Sequence, residues 1–391
     1  MIIYYSIVFT LFLTAILNRQ NFGETHSVRD KWHHIVHKLT NRFNIDNRLL
    51  IEDDILLFPD IAYQSKENNS NKTWRVIVHG WKYRDNPREN WLGFRASYWL
   101  ERLAKNLVNQ NDVHYLNGSI NRDRLRPFFV TDQINQTITI EIASQKQLLH
   151  TDINGEFYEE IEVSNDIIQQ YRLGDIIPYN ATYNDRNCSQ GIAYLIDPSQ
   201  GLSVISDIDD TIKISEVLDK ARLLANTFIY PFKSVPGMAN VYQQWKLKNP
   251  NCTFHYLSGM PDQLYTLTQE FIIQNNFPHG SFHMRHFGWK LNSLFDFLHS
   301  RSTFVHKMSY LHFFLGQTQR DFILIGDSGE KDPEIYGKIA RIYPERIRSI
   351  FIRAIKNESF DDQRFQDAFQ GINRTKWFIF NNPDQLPIDH F

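Results

Sequence analysis

The chain has 391 residues, more than one hydrophobic core usually organises, so we expect two domains. Apolar residues make up 42% and charged residues 22% of the sequence, which excludes a wholly disordered chain. The formal net charge of −2 gives no overall attraction to polyanions, so we expect no nucleic-acid partner.

The segment 1–17 is predicted to be a signal peptide or a short membrane anchor. Ile2 to Leu17 is apolar and uncharged, and it is shorter than the roughly 20 residues that a spanning helix needs. A cleaved signal peptide is favoured, although a basic n-region is missing, and a buried segment is a third alternative. This places the protein in the secretory pathway, whether secreted, lumenal or membrane-associated. A cytoplasmic protein peripheral to a membrane is the alternative.

Nine Asn-x-Ser/Thr sequons favour a secreted glycoprotein, and an Asn-rich composition is the alternative explanation; they begin at Asn68, Asn71, Asn117, Asn135, Asn180, Asn187, Asn251, Asn357 and Asn373. The only cysteines are Cys188 and Cys252, which excludes a disulfide framework and a four-cysteine zinc site. These two cysteines either form one bridge or are two free thiols.

The N-terminal region 18–72 is predicted to contain an amphipathic helix from Val28 to Phe43. Its apolar residues share one helical face, and basic residues surround them. Such a helix can lie on an anionic membrane, but packing against its own domain is the more common arrangement.

Residues 73–183 are predicted to form an antiparallel β-rich domain. Short alternating or β-branched runs are separated by polar turns, and the strongest runs are TWRVIVHGW, LRPFFV, QTITIEIA and FYEEIEV. A helix is predicted between Trp91 and Asn109, and the polar residues 184–190 are predicted to be a linker.

The larger domain, 191–375, is predicted to be α/β, and residues 376–391 are a C-terminal tail. Its apolar strands GLSVISD, CTFHYLSG, DFILIGD and IRSIFIR alternate with helical patterns, which indicates a buried parallel sheet covered by helices. Ligands of such sheets bind beyond the carboxyl ends of the strands. Asp207, Ser258 and Asp327 each lie at such an end, so we expect them to share a site.

Three aspartates follow the first of these strands within four positions, in Asp207-Ile208-Asp209-Asp210-Thr211. Uncompensated carboxylates at one strand end repel each other, and a divalent cation removes that conflict. Asp207 and Asp209 project from the same side of an extended segment. One can attack phosphorus as a nucleophile, while the other protonates the leaving alcohol and later activates water. Mg²⁺ suits such an oxygen-rich site.

Three later segments supply the remaining parts of a phosphoryl-transfer site. Ser258-Gly259 offers a hydroxyl and a close approach for a phosphate oxygen, and Lys307 is the expected counter-charge. Asp327 is a candidate metal ligand, with Asp332 as a supporting or alternative ligand. The order of these motifs resembles the haloacid dehalogenase superfamily, whereas Gly-x-Ser-x-Gly and P-loop motifs are absent.

The longer segments GLSVISDIDDTIKISEV, FHYLSGMPDQLY and FILIGDSGEKDPEIYGKIARIYP resemble the catalytic domain of the App1-type phosphatidate phosphatases. The resemblance implies a Rossmann-like parallel sheet of the haloacid dehalogenase type, an Mg²⁺ cofactor, and hydrolysis of phosphatidate to diacylglycerol. It implies these roles: nucleophile for Asp207, acid/base and carbonyl metal ligand for Asp209, motif threonine for Thr211, phosphate-binding hydroxyl for Ser258, charge-balancing lysine for Lys307 and metal carboxylate for Asp327.

The spacing of the motifs predicts little or no cap domain. About 50 residues separate Asp207 from Ser258, and a similar number separates Ser258 from Lys307. An open site suits a phospholipid substrate at a membrane surface; protein partners are not indicated by the sequence. Lys213 and Arg285 are weaker candidates for contacts with phosphate or headgroup, and for Lys213 a surface position is the alternative.

Two other functions stay open at this point. The motifs specify the phosphoryl chemistry and not the alcohol, so a phosphatase of soluble phosphomonoesters or phosphoproteins is one alternative. A catalytically idle module that binds lipid or protein is the other.

Overall fold

The computed structural model describes residues 53–64, 73–85, 121–171, 176–184, 187–197, 199–287 and 300–388. The leader, the amphipathic helix at Val28–Phe43 and the helix between Trp91 and Asn109 lie outside these residues and stay predictions. The residues described here belong to one compact unit, Ile51–Phe391. In that part of the chain, no helix is long and apolar enough to cross a membrane.

The described strands are numbered in chain order: β1 Asp53–Phe58, β2 Asp60–Gln64, β3 Trp74–Arg84, β4 Thr131–Asp132, β5 Thr137–Ile142, β6 Gln145–His150, β7 Glu156–Val163, β8 Ile176–Tyr183, β9 Asn187–Leu195, β10 Leu202–Ser206, β11 Thr253–Pro261, β12 Gly280–Arg285, β13 Asp321–Asp327, β14 Ile347–Arg353 and β15 Trp377–Phe380. The α-helices are α1 Arg122–Leu125, α2 Asn165–Ile168, α3 Lys220–Phe228, α4 Met238–Lys248, α5 Tyr265–Gln274, α6 Ser300–Gln317, α7 Asp332–Ile342 and α8 Gln363–Ala368.

Sheet A contains β1 to β9 and is antiparallel except where β2 pairs with β9. Its longest strand, β3, pairs with β1 and β2 along one edge and with β7 and β4 along the other. The antiparallel β-rich region predicted from the sequence is therefore present. It begins at β1, in the segment that the sequence analysis assigned to the N-terminal region.

Sheet B contains the six remaining strands, in the order β12-β11-β10-β13-β14-β15, and all of its pairs are parallel. Counted along the chain within this sheet, the order is 3-2-1-4-5-6, which is the doubly wound order. The strand order reverses between β10 and β13. In open α/β sheets this switch point is where ligands bind.

Residues of sheet B alternate between two hydrophobic cores, one on each face. Val204 and Ile325 pack into the core that contains Trp245 of α4, whereas Ile205 and Leu324 pack into the core that contains residues of α6 and α7. Successive side chains of a strand point to opposite faces, so a strand buried on both faces has to be apolar throughout. The predicted α/β domain with helices on both faces is confirmed.

Sheet A packs directly against sheet B and contributes to both of its cores. Phe58 and Trp81 lie in the α4 core, and Ile61 lies in the core of α6 and α7. The amide of Phe282 in β12 donates to the carbonyl of Pro59 at 2.9 Å. The two sheets therefore share their hydrophobic interior.

Two local predictions differ from the structure. The run LRPFFV, predicted to be extended, ends α1 and continues as a 3₁₀ helix at Arg126–Phe129. Proline has no amide hydrogen and a fixed φ, which suits a helix start and disfavours the interior of a sheet. Of the predicted linker 184–190, the part from Asn187 onward belongs to β9, which pairs with β8.

Candidate active site

The candidate site lies at the switch point of sheet B, beyond the carboxyl ends of β10 and β13. The amide of Asp207 donates to the carbonyl of Ile325 at 2.9 Å, which extends the ladder of β10 and β13 to the first aspartate. Asp327 ends β13. The sheet thus brings together two carboxylates that are 120 residues apart in the sequence.

Asp207 is held between two donors in a buried position. Lys307 Nζ lies 2.7 Å from Asp207 Oδ1, and Thr211 Oγ1 donates to Oδ2 at 3.1 Å. Burial raises the pKa of Asp207 well above its ordinary value, and the Lys307 ammonium opposes this shift. Thr211 and Lys307 therefore fix both oxygens of the carboxylate that was predicted to be the nucleophile.

Lys307 is fully buried in α6 and joins two of the predicted site residues. Its Nζ also lies 2.6 Å from Asp332 Oδ1, at the start of α7. Burial alone would lower the pKa of Lys307, but the carboxylates of Asp207 and Asp332 outweigh it and raise that pKa well above its ordinary value. The lysine is therefore a permanent cation shared by two aspartates.

Asp327 completes a group of three carboxylates. Ligand oxygens of Asp207, Asp327 and Asp332 all lie within 4.8 Å of one another. Asp327 Oδ1 accepts from the amides of Gly329 and Glu330, whereas its buried Oδ2 has no hydrogen-bond partner among the described residues. The negative charge of three buried carboxylates exceeds the single positive charge of Lys307. Together with the unpartnered Asp327 Oδ2, these carboxylate oxygens are a donor set that fits a hard divalent cation.

Asp209 has a separate environment from Asp207. Lys213 Nζ lies 2.6 Å from Asp209 Oδ1, and Ser215 Oγ donates to the same oxygen at 2.5 Å. Burial alone would raise the pKa of Asp209, but Lys213 and Ser215 outweigh it and lower that pKa. The neighbouring carboxylates of the motif are thus shifted in opposite directions.

Lys213 is fully buried, so the alternative of a surface lysine is wrong. Its ammonium lies 4.5 Å from the ring centroid of Phe232, in a cation–π contact. Ser258 lies beside the same carboxylate, with its Oγ 3.4 Å from Asp209 Oδ2.

Asp210 stabilises the loop that follows Asp209, and its side chain is not part of the group formed by Asp207, Asp327 and Asp332. Its φ of 53° is in the left-handed region, which turns the chain after Asp209. Its carboxylate accepts from the amides of Ser215, Glu216 and Val217. Arg353 Nη1 donates to the Asp210 carbonyl at 2.6 Å. The loop closed by these hydrogen bonds places the Lys213 side chain beside Asp209.

Gly259 was predicted to let a phosphate approach closely, and helix packing also requires a glycine at this position. A Cβ at this position would lie 2.6 Å from both Oγ1 and Cγ2 of Thr303 in α6. Thr303 is one helical turn before Lys307, so Gly259 lets that helix approach the end of β11 closely. The amide of Met260 donates to Ser258 Oγ at 3.0 Å, which orients the hydroxyl.

Arg285 ends β12, and its guanidinium stacks over Phe287 at 4.1 Å from the ring centroid. Sequence reasoning did not identify Ser215 or Arg353 as parts of the site, nor Glu330, whose carboxylate lies 3.6 Å from Lys307 Nζ. Glu330 stands inside the quoted motif GDSGEKD, so an acidic residue there was an available signal. Ser215 and Arg353 had no comparable pattern.

The segment that contains the candidate site matches a known family model. Residues 202–354 match the family model described as phosphatidate phosphatase APP1, catalytic domain. A segment of 164 residues is 31% identical to phosphatidate phosphatase APP1 of Saccharomyces cerevisiae and covers 41% of this chain and 27% of that protein. A segment of 256 residues is 27% identical to an uncharacterized protein of Schizosaccharomyces pombe and covers 59% of this chain and 41% of that one. The matches thus span less than half the length of either relative.

Among solved structures, a carbohydrate acetylesterase from Xanthomonas citri has 7% sequence identity and a TM-score of 0.22, over 61% of this chain and 67% of its own. This likeness is too low to indicate a shared fold.

Proposed function

We propose that this chain, whose residues 202–354 match the catalytic-domain model of the App1-type phosphatidate phosphatases, is a phosphatidate phosphatase with Asp207 as its nucleophile. One observation carries the proposal: within the matched segment, Lys307 holds Asp207 beside a buried group of carboxylates at the switch point of the sheet. The substrate is taken from the activity that names the Saccharomyces cerevisiae relative, phosphatidate phosphatase APP1. The doubly wound strand order agrees with a haloacid dehalogenase type of fold, which we include in the proposal.

In the proposed reaction, a carboxylate oxygen of Asp207 attacks the phosphorus of phosphatidate. The new Asp207–phosphorus bond replaces the bond to the diacylglycerol oxygen, and water then releases phosphate from the aspartyl-phosphate. The Lys307 ammonium opposes the burial that raises the pKa of Asp207, and it faces the negative charge that develops on the transferring group.

Asp209 is the proposed acid/base. Lys213 and Ser215 hold its carboxylate ionised before substrate binds. An incoming phosphate adds negative charge beside Asp209, and a like charge raises a carboxyl pKa. Substrate binding would therefore prepare Asp209 to give a proton to the leaving diacylglycerol oxygen and to take one from the attacking water. Ser258 would bind a phosphate oxygen.

Asp207, Asp327 and Asp332 are the side chains that would hold the proposed Mg²⁺, together with the Asp209 carbonyl. When bound, the ion would neutralise phosphoryl oxygens that otherwise repel an anionic nucleophile. The open Oδ2 of Asp327 is the observation in this chain that fits such an ion.

We further propose that the enzyme meets its phospholipid at a membrane surface in the secretory pathway. The leader-like segment 1–17 and the sequons motivate the compartment. The N-terminal sequence of the protein purified from expressing cells tests it. A mature chain that begins after the leader is expected, and an intact Met1 on a cytosolic protein would contradict the compartment.

Phosphate release from vesicles that contain phosphatidate tests the activity. With Mg²⁺, the wild-type chain is expected to release phosphate and diacylglycerol, and Asp207→Asn to lose at least about 10³-fold of the rate. A chain equally active on a soluble phosphomonoester is a general phosphatase. A chain without phosphatase activity that still binds the vesicles is the idle binding module.

A further inference from the structure

A second group of metal-ligating side chains lies outside the candidate active site. Glu156 begins β7 in sheet A, Asp262 follows β11, and His286 follows β12. Ligand atoms of these three residues lie within 4.8 Å of one another. We call Glu156, Asp262 and His286 the junction cluster, because they join sheet A to two loops at the carboxyl edge of sheet B.

We propose that the junction cluster is a second divalent-cation site, of the class that takes Zn²⁺. Zinc bonds to imidazole nitrogen and carboxylate oxygen of about 2.0–2.2 Å place tetrahedral ligands about 3.4 Å apart. His286 Nδ1 lies 2.9 Å from Asp262 Oδ2 and 3.9 Å from Glu156 Oε1, so the two separations bracket that spacing. An imidazole ligand favours zinc over magnesium.

The junction cluster differs from ordinary surface carboxylates because its side chains are largely buried. The side chains of Asp262 and His286 are only 1% and 5% exposed, whereas Glu156 is 21% exposed and gives the cluster an opening to solvent. His286 Nε2 is buried and has no hydrogen-bond partner in the described part of the chain. The proposed metal-binding nitrogen is Nδ1, which is the one near both carboxylates, so the unpartnered Nε2 would not be a ligand of the ion.

His79 is a second buried imidazole that is aimed at the cluster. Its side chain is 8% exposed, and its Nε2 lies 3.4 Å from Glu156 Oε1, while its Nδ1 has no partner among the described residues. Charge-assisted hydrogen bonds are shorter, at about 2.7–2.9 Å. His79 contacts the same Glu156 oxygen that lies nearest His286, so it is placed to hold that carboxylate, as an outer partner of a metal-binding carboxylate does.

The local charge also favours a cation. Burial alone would lower the pKa of His286, but Asp262, Glu156 and Asp132 outweigh it and raise that pKa to about 9. Three carboxylates around one imidazole leave an excess of negative charge.

Cobalt titration of the chelator-treated full-length chain tests the proposal. Four-coordinate Co²⁺ with an imidazole ligand absorbs visible light strongly, whereas Co²⁺ in a six-coordinate oxygen site absorbs weakly. One equivalent of strongly absorbing Co²⁺ is expected, and Zn²⁺ should displace it. Equilibrium dialysis with Zn²⁺ alone then gives the affinity.

Variants separate the two metal sites. His286→Gln, Asp262→Asn and Glu156→Gln should each weaken Zn²⁺ binding at the junction cluster by at least about tenfold, and His79→Gln by about 10–100-fold. Asp327→Asn should keep the cobalt spectrum, and so should the matched control His312→Gln on α6. A wild-type chain without the strong absorption, or unchanged zinc affinity in a folded His286→Gln protein, would overturn the proposal.

Discussion

At the scale of single residues, breaking the buried ion pair of Lys213 and Asp209 is expected to lower the free energy of unfolding. Replacing Lys213 by Met leaves the Asp209 carboxylate buried without its ammonium partner, and breaking such a pair costs about 3–5 kcal/mol. We expect the free energy of unfolding in urea to fall by that amount at neutral pH. The exposed residue Lys356 is the control, and Lys356→Met should change stability by less than about 0.5 kcal/mol.

The pair also predicts a direction of pH dependence. The folded pKa of Asp209 is lowered, so its contribution to stability is present above the unfolded pKa and is lost as pH falls through the folded value. Urea unfolding of the wild type should therefore become easier in that acidic range. In Lys213→Met burial would instead raise the pKa of Asp209, so this loss of stability in acid should disappear. Identical pH profiles of the two proteins would contradict the assignment.

Replacing Asp327 is expected to raise the stability of the metal-free protein and to lower its phosphatase activity. Burial and the charges of Asp332 and Asp207 raise its pKa well above the ordinary value, so its charged form is unfavourable in the metal-free fold. Asp327→Asn should therefore stabilise the chelator-treated protein by about 0.5–2 kcal/mol. The same variant should lose at least about 10²-fold of Mg²⁺-dependent phosphate release. Reduced stability without lost activity would contradict both expectations.

At the scale of elements, the contact of Gly259 with α6 predicts a packing defect that reaches the site. In Gly259→Ala the new methyl group meets Thr303, and overpacking of this kind costs about 1–3 kcal/mol. Because Lys307 is one turn further along α6, phosphate release should fall with stability. Adding Thr303→Ala should restore part of both. A second substitution without any effect would show that the contact does not position the helix.

Four of the six strands of sheet B, namely β10, β11, β13 and β14, could be predicted because each is an apolar run, and three of these runs lead into Asp207, Ser258 or Asp327. Parallel strands end at one edge, so the sequence placed these residues together correctly. The closed loop around Asp210 could not be predicted, since its left-handed φ and its three amide contacts leave no periodic pattern. For the same reason, the position of Lys213 against Asp209 stayed open.

At the scale of the whole molecule, two domains were expected from length, and the structure joins both sheets in one compact unit. Trp81 of sheet A is 1% exposed and packs in the same core as Tyr256 of sheet B. Contacts of this kind join residues that are far apart in the chain, and local sequence patterns do not predict them. Length and composition alone therefore could not reveal the shared interior.

This shared interior predicts cooperative unfolding of residues 51–391. We expect far-ultraviolet circular dichroism and tryptophan fluorescence to follow one transition in urea. Trp81→Ala should lower its midpoint without splitting it, with a loss of about 3–5 kcal/mol. Two separate transitions would show that the sheets are independently stable.

The central claim is that Asp207 attacks phosphorus, and acid quenching during turnover of phosphatidate tests it most directly. Borohydride reduction converts an aspartyl-phosphate into homoserine, which peptide mass spectrometry can locate in the chain. We predict homoserine at position 207 in the wild type, dependent on substrate and Mg²⁺. Homoserine at another aspartate, or full turnover by Asp207→Asn, would contradict the account.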